Sequence, residues 1–145
     1  MTGNPALVDT NILCYAFDTG VPEKRAAARG LLARVFNNEE MLSVSVQNLA
    51  EFAVVTREKM EHPLPDAVIT RFIEDIVAFD GWKVIRYDAG TVTRAIGISR
   101  AHNLHFWDSL LVATMQEQGI DTIWSEDAHF SKIPGLNMKN PFLPG

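Results

Sequence analysis

Short apolar runs that alternate with helical stretches predict an α/β fold: a three-layer α/β/α sandwich around a central, mainly parallel sheet of four or five strands. Three observations carry this. Strand-length apolar runs occur at Ala6-Leu7-Val8, Met41-Leu42-Ser43-Val44, Trp82-Lys83-Val84-Ile85 and from Ile120 to Trp124. Segments of helical periodicity separate them, so the crossovers place helices on both faces of the sheet. A chain of 145 residues, 47% hydrophobic, suits one domain with a sizeable core. There is no repeat, linker or low-complexity tract, so residues 1–145 are expected to form a single domain.

After the first strand, Asp9-Thr10-Asn11 is polar and residues 12–17 continue apolar as a helical turn. Asp18-Thr19-Gly20-Val21-Pro22 reads as a loop. From Glu23, the residues Ala26, Ala27, Leu31, Leu32, Val35 and Phe36 recur at helical spacing, and Asn37-Asn38 ends the run. Ser45 is a good N-cap for a helix to about Lys59. His62-Pro63-Leu64-Pro65 breaks the chain, and Asp66 is expected to cap a helix whose apolar face carries Val68, Ile69, Phe72, Ile73, Ile76 and Val77. Asp88 caps another helix to about Ala101. His102-Asn103-Leu104-His105 reads as a turn before a helix over residues 107–118, stopped by Gly119. The tail through Asn140-Pro141-Phe142 is loop-like, with room for a short edge strand.

Composition narrows the function. No apolar run is long enough to span a bilayer, and Met1-Thr2-Gly3-Asn4-Pro5 lacks the basic and apolar regions of a secretory signal. The single cysteine, Cys14, excludes an internal disulfide and a cysteine-type zinc site, and points to a reducing cytoplasm. A net charge of −5 argues against a non-specific nucleic-acid coat protein. It leaves a nuclease open, because a cation at an acidic site reverses the local field. Basic residues would then line the rim, with Arg25, Arg29, Arg34, Arg57 and Lys59 as candidates or as solvated helix faces.

The strongest functional signal is four acids set against apolar runs: Asp9, Glu51, Asp108 and Asp127. Asp9 follows the first strand and Asp127 the fourth, at the sheet edge where open parallel sheets build their sites. Glu51 shares a helical face with Val54 and Val55, and Asp108 with Leu111, Val112 and Met115. Ionised carboxylates are not buried without compensation. For any one of them the compensation is an ion pair with a buried arginine or a helix-cap role. For all four together, convergence on one or two hard divalent cations fits better.

Several local patterns carry a family resemblance. Val8-Asp9-Thr10-Asn11-Ile12-Leu13 resembles the opening motif of PIN-domain ribonucleases, and Asn48-Leu49-Ala50-Glu51-Phe52 their second acidic helix. Leu104-His105-Phe106-Trp107-Asp108-Ser109-Leu110-Leu111 and Ser125-Glu126-Asp127-Ala128-His129-Phe130 are similar to the third and fourth motifs. Asn140-Pro141-Phe142 is similar to the close of VapC-type toxins of toxin–antitoxin pairs. Order and spacing agree over nearly the whole chain. The resemblance implies an endoribonuclease using Mg²⁺ or Mn²⁺, with Asp9, Glu51, Asp108 and Asp127 as catalytic, metal-site carboxylates. Asp9 and Asp108 would be direct ligands; Glu51 and Asp127 would bind directly or through water. Asn11, Thr10 and Ser125 would orient the acids or their waters, and Glu126 would sit at the rim, pointing away from Asp127. Implied partners are an RNA substrate, a cognate antitoxin and a second copy of the chain, with no membrane. A groove between the helix after Glu23 and the helix after Asp66 would seat the antitoxin.

Other residues are read more plainly. His102, His105 and His129 match no metal-binding spacing and are expected at loops or the RNA rim. Trp107 is expected to pack as core, with stacking on a base the lesser alternative, Cys14 as a small buried residue, and Glu74-Asp75 as solvated surface. A phosphatase with an aspartyl nucleophile would need a second acid at position 11, where this chain has Asn11. Two alternatives remain: a housekeeping RNA-processing nuclease without an antitoxin, and a binding-only module.

Overall fold

The computed structural model describes residues 4–143. Five parallel strands form one sheet, β1 (Leu7–Val8), β2 (Leu42–Ser45), β3 (Trp82–Ile85), β4 (Thr122–Trp124) and β5 (Asn137–Lys139), in the order β3-β2-β1-β4-β5. Six helices flank it: α1 (Thr10–Tyr15), α2 (Pro22–Phe36), α3 (Val46–Val54), α4 (Asp66–Ala78), α5 (Ala89–His102) and α6 (Phe106–Glu117).

The register explains the three layers. Leu7 pairs with Ile123, and Val8 with Trp124. Side chains alternate along a strand, so neighbours serve opposite faces. Val8, Leu42, Val44 and Trp82 pack with Ile12, Leu31, Val35, Phe52 and Ile76, which come from α1 to α4. Leu7, Ile85 and Ile123 pack on the other face with Leu111, Val112 and Met115 of α6. The opposite side of α6 presents Leu110 and Ala113 to Ala95 of α5. Both faces of β1 and β2 are therefore buried, as central parallel strands require.

Strand order reverses around β1. The chain leaves β1 toward β2 on one side, while β4 pairs with its other edge. The carboxyl ends of β1 and β4 thus flank the crevice where open α/β sheets bind ligands. The Asp9 amide donates to the Trp124 carbonyl at 2.9 Å, so the two chain ends stay in register past the last ladder residue.

Several elements depart from the sequence expectation. Helix α1 starts at Thr10, capped by Asp9, rather than two residues later. Beyond α3 the chain opens into one wide π-type turn over Val55–Lys59, with the Thr56 hydroxyl donating to the Phe52 carbonyl at 2.7 Å. Asp66 does not cap α4. Pro65 holds that position, and the Asp66 carboxylate instead accepts from Arg57 Nε at 3.0 Å. Nor do the histidines near residue 103 share a turn: His102 ends α5, Asn103 takes the left-handed conformation that terminates it, and His105 caps α6. The tail contributes the edge strand β5, preceded by a 3₁₀ turn over Ala128–Lys132.

Candidate metal centre

Asp9 caps α1 directly after β1. Its Oδ1 accepts from the Thr10 amide at 2.8 Å, and its Oδ2 accepts from the Ser125 hydroxyl at 2.8 Å and Asn11 Nδ2 at 3.4 Å. Glu51 comes from α3, whose start is fixed by a capping box between Ser45 and Asn48. The same Asn48 donates from Nδ2 to Thr10 Oγ1 at 3.0 Å, and Thr10 Oγ1 donates to Glu51 Oε1 at 2.9 Å. A relay of Asn48 and Thr10 thus aims Glu51 across from the helix that carries Asp9. Asp108 lies in the first turn of α6. Asp127 follows β4 and caps the 3₁₀ turn, accepting from the His129 amide at 2.9 Å.

Asp9, Glu51 and Asp108 line one cleft of about 1020 Å³. Asp127 is not on its wall. It is tied to Asp9 through fully buried Ser125, whose Oγ accepts from the Asp127 amide at 3.0 Å. Asp127 nevertheless lies near enough to Asp108 to act on its charge.

The acids are short of compensation. Burial pushes the Asp9 carboxyl up to about 6, against the hydrogen bonds from Ser125 and Thr10, and repulsion from Asp108 and Glu51 adds to the rise. Asp108 is also raised, by burial and then by Asp127 and Glu51, with His105 and His129 pulling the other way. Among the described residues, no ion pair involves any of the four acids. The buried-arginine explanation therefore does not hold. Asn11 Oδ1 is buried beside Asp9 with no hydrogen-bond partner, a further oxygen without a donor.

The donor set suits a hard cation: carboxylate and amide oxygens, with hydroxyls holding the acids in place. Among the described residues, no three His, Cys, Asp or Glu side chains are gathered closely enough to chelate one ion unaided. A cation bound here would complete its shell with water.

Glu126 points away from this cluster, as expected. Lys24 Nζ lies 2.6 Å from its Oε2, and the Tyr15 hydroxyl donates to its Oε1 at 2.7 Å. Burial acts to raise the Glu126 carboxyl, but these two donors outweigh it and hold it below the usual range. Cys14 is half-buried on the cleft wall, its thiol pushed up to about 12 by burial and then by the nearby carboxylates.

Two expectations are corrected here. Trp107 is not core: it is 50% exposed and lines the cleft. Of the five basic rim candidates only Lys59 borders the cleft. Arg34 and Arg57 pair with Glu40 and Asp66, Arg29 Nε donates to the Ala16 carbonyl at 2.7 Å, and Arg25 is half-buried. The cleft runs from the acids along α1, α3 and the wide turn. Sequence reasoning missed Gln47, Asn48, Lys24 and Tyr15. The Asn48 capping box was readable, three residues after Ser45; the other three have no local signature.

The sequence profile of the PIN domain matches residues 6–136. The chain belongs to the PIN-domain family. This PIN domain is 49% identical over 35 residues to Ribonuclease VapC48 of Mycobacterium tuberculosis, a stretch covering 24% of each chain, so the match spans about a quarter of that relative. Its fold is similar to VapC20 of M. tuberculosis, a sarcin–ricin-loop-cleaving toxin, with TM-score 0.68 and 18% identity over 87% of this chain and 92% of that one. It is also similar to VapBC2 of Rickettsia felis bound to promoter DNA, with TM-score 0.63 and 17% identity over 94% and 98% of the two chains. At such identity the likeness establishes the shared fold of these PIN domains.

Proposed function

We propose that this PIN domain is a divalent-metal-dependent endoribonuclease and the toxin of a type II toxin–antitoxin pair. One observation carries the catalytic part: three carboxylates from α1's cap, α3 and α6 border a single cleft at the sheet's switch point without a basic partner. The family, a partial relative named as a ribonuclease, and structural neighbours solved as toxin–antitoxin complexes support the rest.

Asp9 and Asp108 are the direct ligands in this reading, and Glu51 and Asp127 act directly or through water. When bound, Mg²⁺ or Mn²⁺ would supply an acidified water and neutralise the phosphate. The protein's own part is positional. Ser125 and the Thr10 amide hold Asp9 in one rotamer; Thr10 and Asn48 hold Glu51. Asn11 Oδ1 is free to accept from a water of the cation's shell. The scissile phosphodiester lies at the acidic end of the cleft, and hydrolysis leaves a 5′-phosphate and a 3′-hydroxyl. No side-chain nucleophile is required.

The cognate partner is an antitoxin whose tail enters the cleft, with an arginine or lysine pairing with the unpartnered acids. The long apolar arm of the cleft, with Ala50, Val54, Val55 and Met60, suits such a segment better than the region between α2 and α4. The protein acts in the cytoplasm, as a homodimer. No described helix is long and apolar enough to cross a membrane.

The test is RNA cleavage by protein purified free of any partner, in Mg²⁺ or Mn²⁺ and in EDTA, beside Asp9→Asn prepared identically. Metal-dependent cutting that vanishes in the variant is the expected result. Equal cutting by both proteins would refute the site. A short upstream open reading frame encoding a DNA-binding protein separates the toxin from a housekeeping nuclease.

A further inference from the structure

Trp107 combines an exposed ring with an anchored backbone. Its amide donates to His105 Nδ1 at 3.4 Å, and its carbonyl accepts from Gln47 Nε2 at 2.9 Å. The Phe106 ring stands edge-on to the indole, centroids 5.4 Å apart and planes at 75°. The backbone of Trp107 is thus anchored, its ring packs edge-on against Phe106, and the residue is half-exposed at the cleft. Tyr87, 38% exposed, follows β3 at the same carboxyl edge of the sheet and lines the same cleft. Two accessible aromatic rings beside a phosphodiester site suit base stacking, which needs only a π-face.

Gln47 adds a polar element. It is buried, and it lines the cleft. A backbone carbonyl can only accept, so the bond to Trp107 fixes which way the amide points. That leaves Gln47 Oε1, buried and without a hydrogen-bond partner, as an unused acceptor.

We propose that Trp107, Tyr87 and Gln47 form a subsite for one unpaired nucleobase beside the acids. The rings stack on the base, and Gln47 Oε1 accepts an N–H from its Watson–Crick edge. Each base carries such a donor: the amino group of adenine or cytosine, the ring N–H of uracil or guanine. Base pairing occupies that donor, so the subsite takes single strands and refuses duplex. The inference rests on the ribonuclease reading and names the residues that select an unpaired base over a paired one.

Fluorescence anisotropy with end-labelled hexaadenylate and Mg²⁺ tests it, in an Asp9→Asn background that leaves the RNA uncut. Trp107→Ala should weaken binding about tenfold, and Tyr87→Ala should weaken it as well. Trp107→Phe should keep most of the affinity. Both positions are exposed, so folding is not at stake. A hexamer with a central abasic residue should lose affinity for the Asp9→Asn protein and show no further loss with Trp107→Ala. Hexamers of N6,N6-dimethyladenosine, which lack the edge donor, should bind more weakly than hexaadenylate; Gln47→Met should erase that difference. If Trp107→Ala and Tyr87→Ala bind like their parent while the wild type cuts RNA, the subsite is wrong and the nuclease reading stands. If the wild type neither binds nor cuts RNA, both fall.

Discussion

The Ser125 hydroxyl donates to Asp9 Oδ2 at 2.8 Å and accepts from the Asp127 amide at 3.0 Å, joining the chain ends of β1 and β4 beneath the acids. Ser125 is fully buried, so this bond is shielded from solvent competition. Ser125→Ala removes one of the three hydrogen bonds to the Asp9 carboxylate, one that opposes the effect of burial, and strands the Asp127 amide. The acidic limb of the pH–rate profile should move to higher pH, and the fold should lose about 1–3 kcal/mol in urea denaturation.

Asp9 should destabilise the metal-free protein. Its carboxyl titrates near 6 in the fold against an ordinary value of 3.8, so the folded state binds that proton more tightly than the unfolded chain. Stability should therefore fall as pH rises from about 4 to about 6 and stay lower above that. Asp9→Asn keeps a capping side chain and removes the charge. In EDTA at pH 7.5 it should be more stable than wild type by on the order of 1–3 kcal/mol, with little difference at pH 4. A less stable variant at pH 7.5 would show the carboxylate to be compensated by other means.

Divalent cations should reverse that order. Mn²⁺ or Mg²⁺ should bind the folded acids and raise the melting temperature of wild type with the logarithm of concentration over dissociation constant. The rise should be larger at pH 7.5 than at pH 5, because protons compete for Asp9 and Asp108, both raised in the fold. Asp9→Asn and Asp108→Asn should show little rise in the same melting scan.

Thr10 links two walls of the site, accepting from buried Asn48 and donating to Glu51. Thr10→Val keeps the shape and removes both bonds. Cleavage should fall, and stability should drop by about 1–3 kcal/mol because Asn48 Nδ2 loses its partner. Thr10→Ser should restore both.

Phe52 supports α3 from below. It is fully buried, with ring centroids 5.7 Å from Phe17 and 5.1 Å from Phe72. Phe52→Ala should cost about 3–5 kcal/mol in chemical denaturation, and cleavage should fall with the fraction folded.

The layers were legible because parallel strands buried on both faces write short apolar runs, and crossover helices write a distinct period. Ser45 and Asp88 were readable caps, since each is followed three residues on by a side chain that completes the box. Asp66 read as a cap from its carboxylate alone, with Ile69 three residues on completing no box, and that carboxylate instead accepts from Arg57 on the preceding wide turn. That wide turn has no composition signature, because Val55–Lys59 reads as one more helical turn. Trp107 misled because the residues that follow, Ser109 to Met115, are all buried. Its exposure comes from its place in the first turn of α6, at the cleft rather than over the sheet. The acids were visible one by one as carboxylates in apolar company. The cleft that Asp9, Glu51 and Asp108 share depends on how α1, α3 and α6 pack at the carboxyl edge of the sheet, and no local pattern states that packing.

Calorimetric titration of Mn²⁺ into the purified chain at pH 7.5 tests the metal site most directly. Saturable binding is expected, weakened at least about tenfold in Asp9→Asn and Asp108→Asn. Glu126→Gln should bind as wild type does, since Glu126 is engaged by Lys24 and Tyr15. Binding that survives unchanged in Asp9→Asn and Asp108→Asn would contradict the assignment of the cation to these acids.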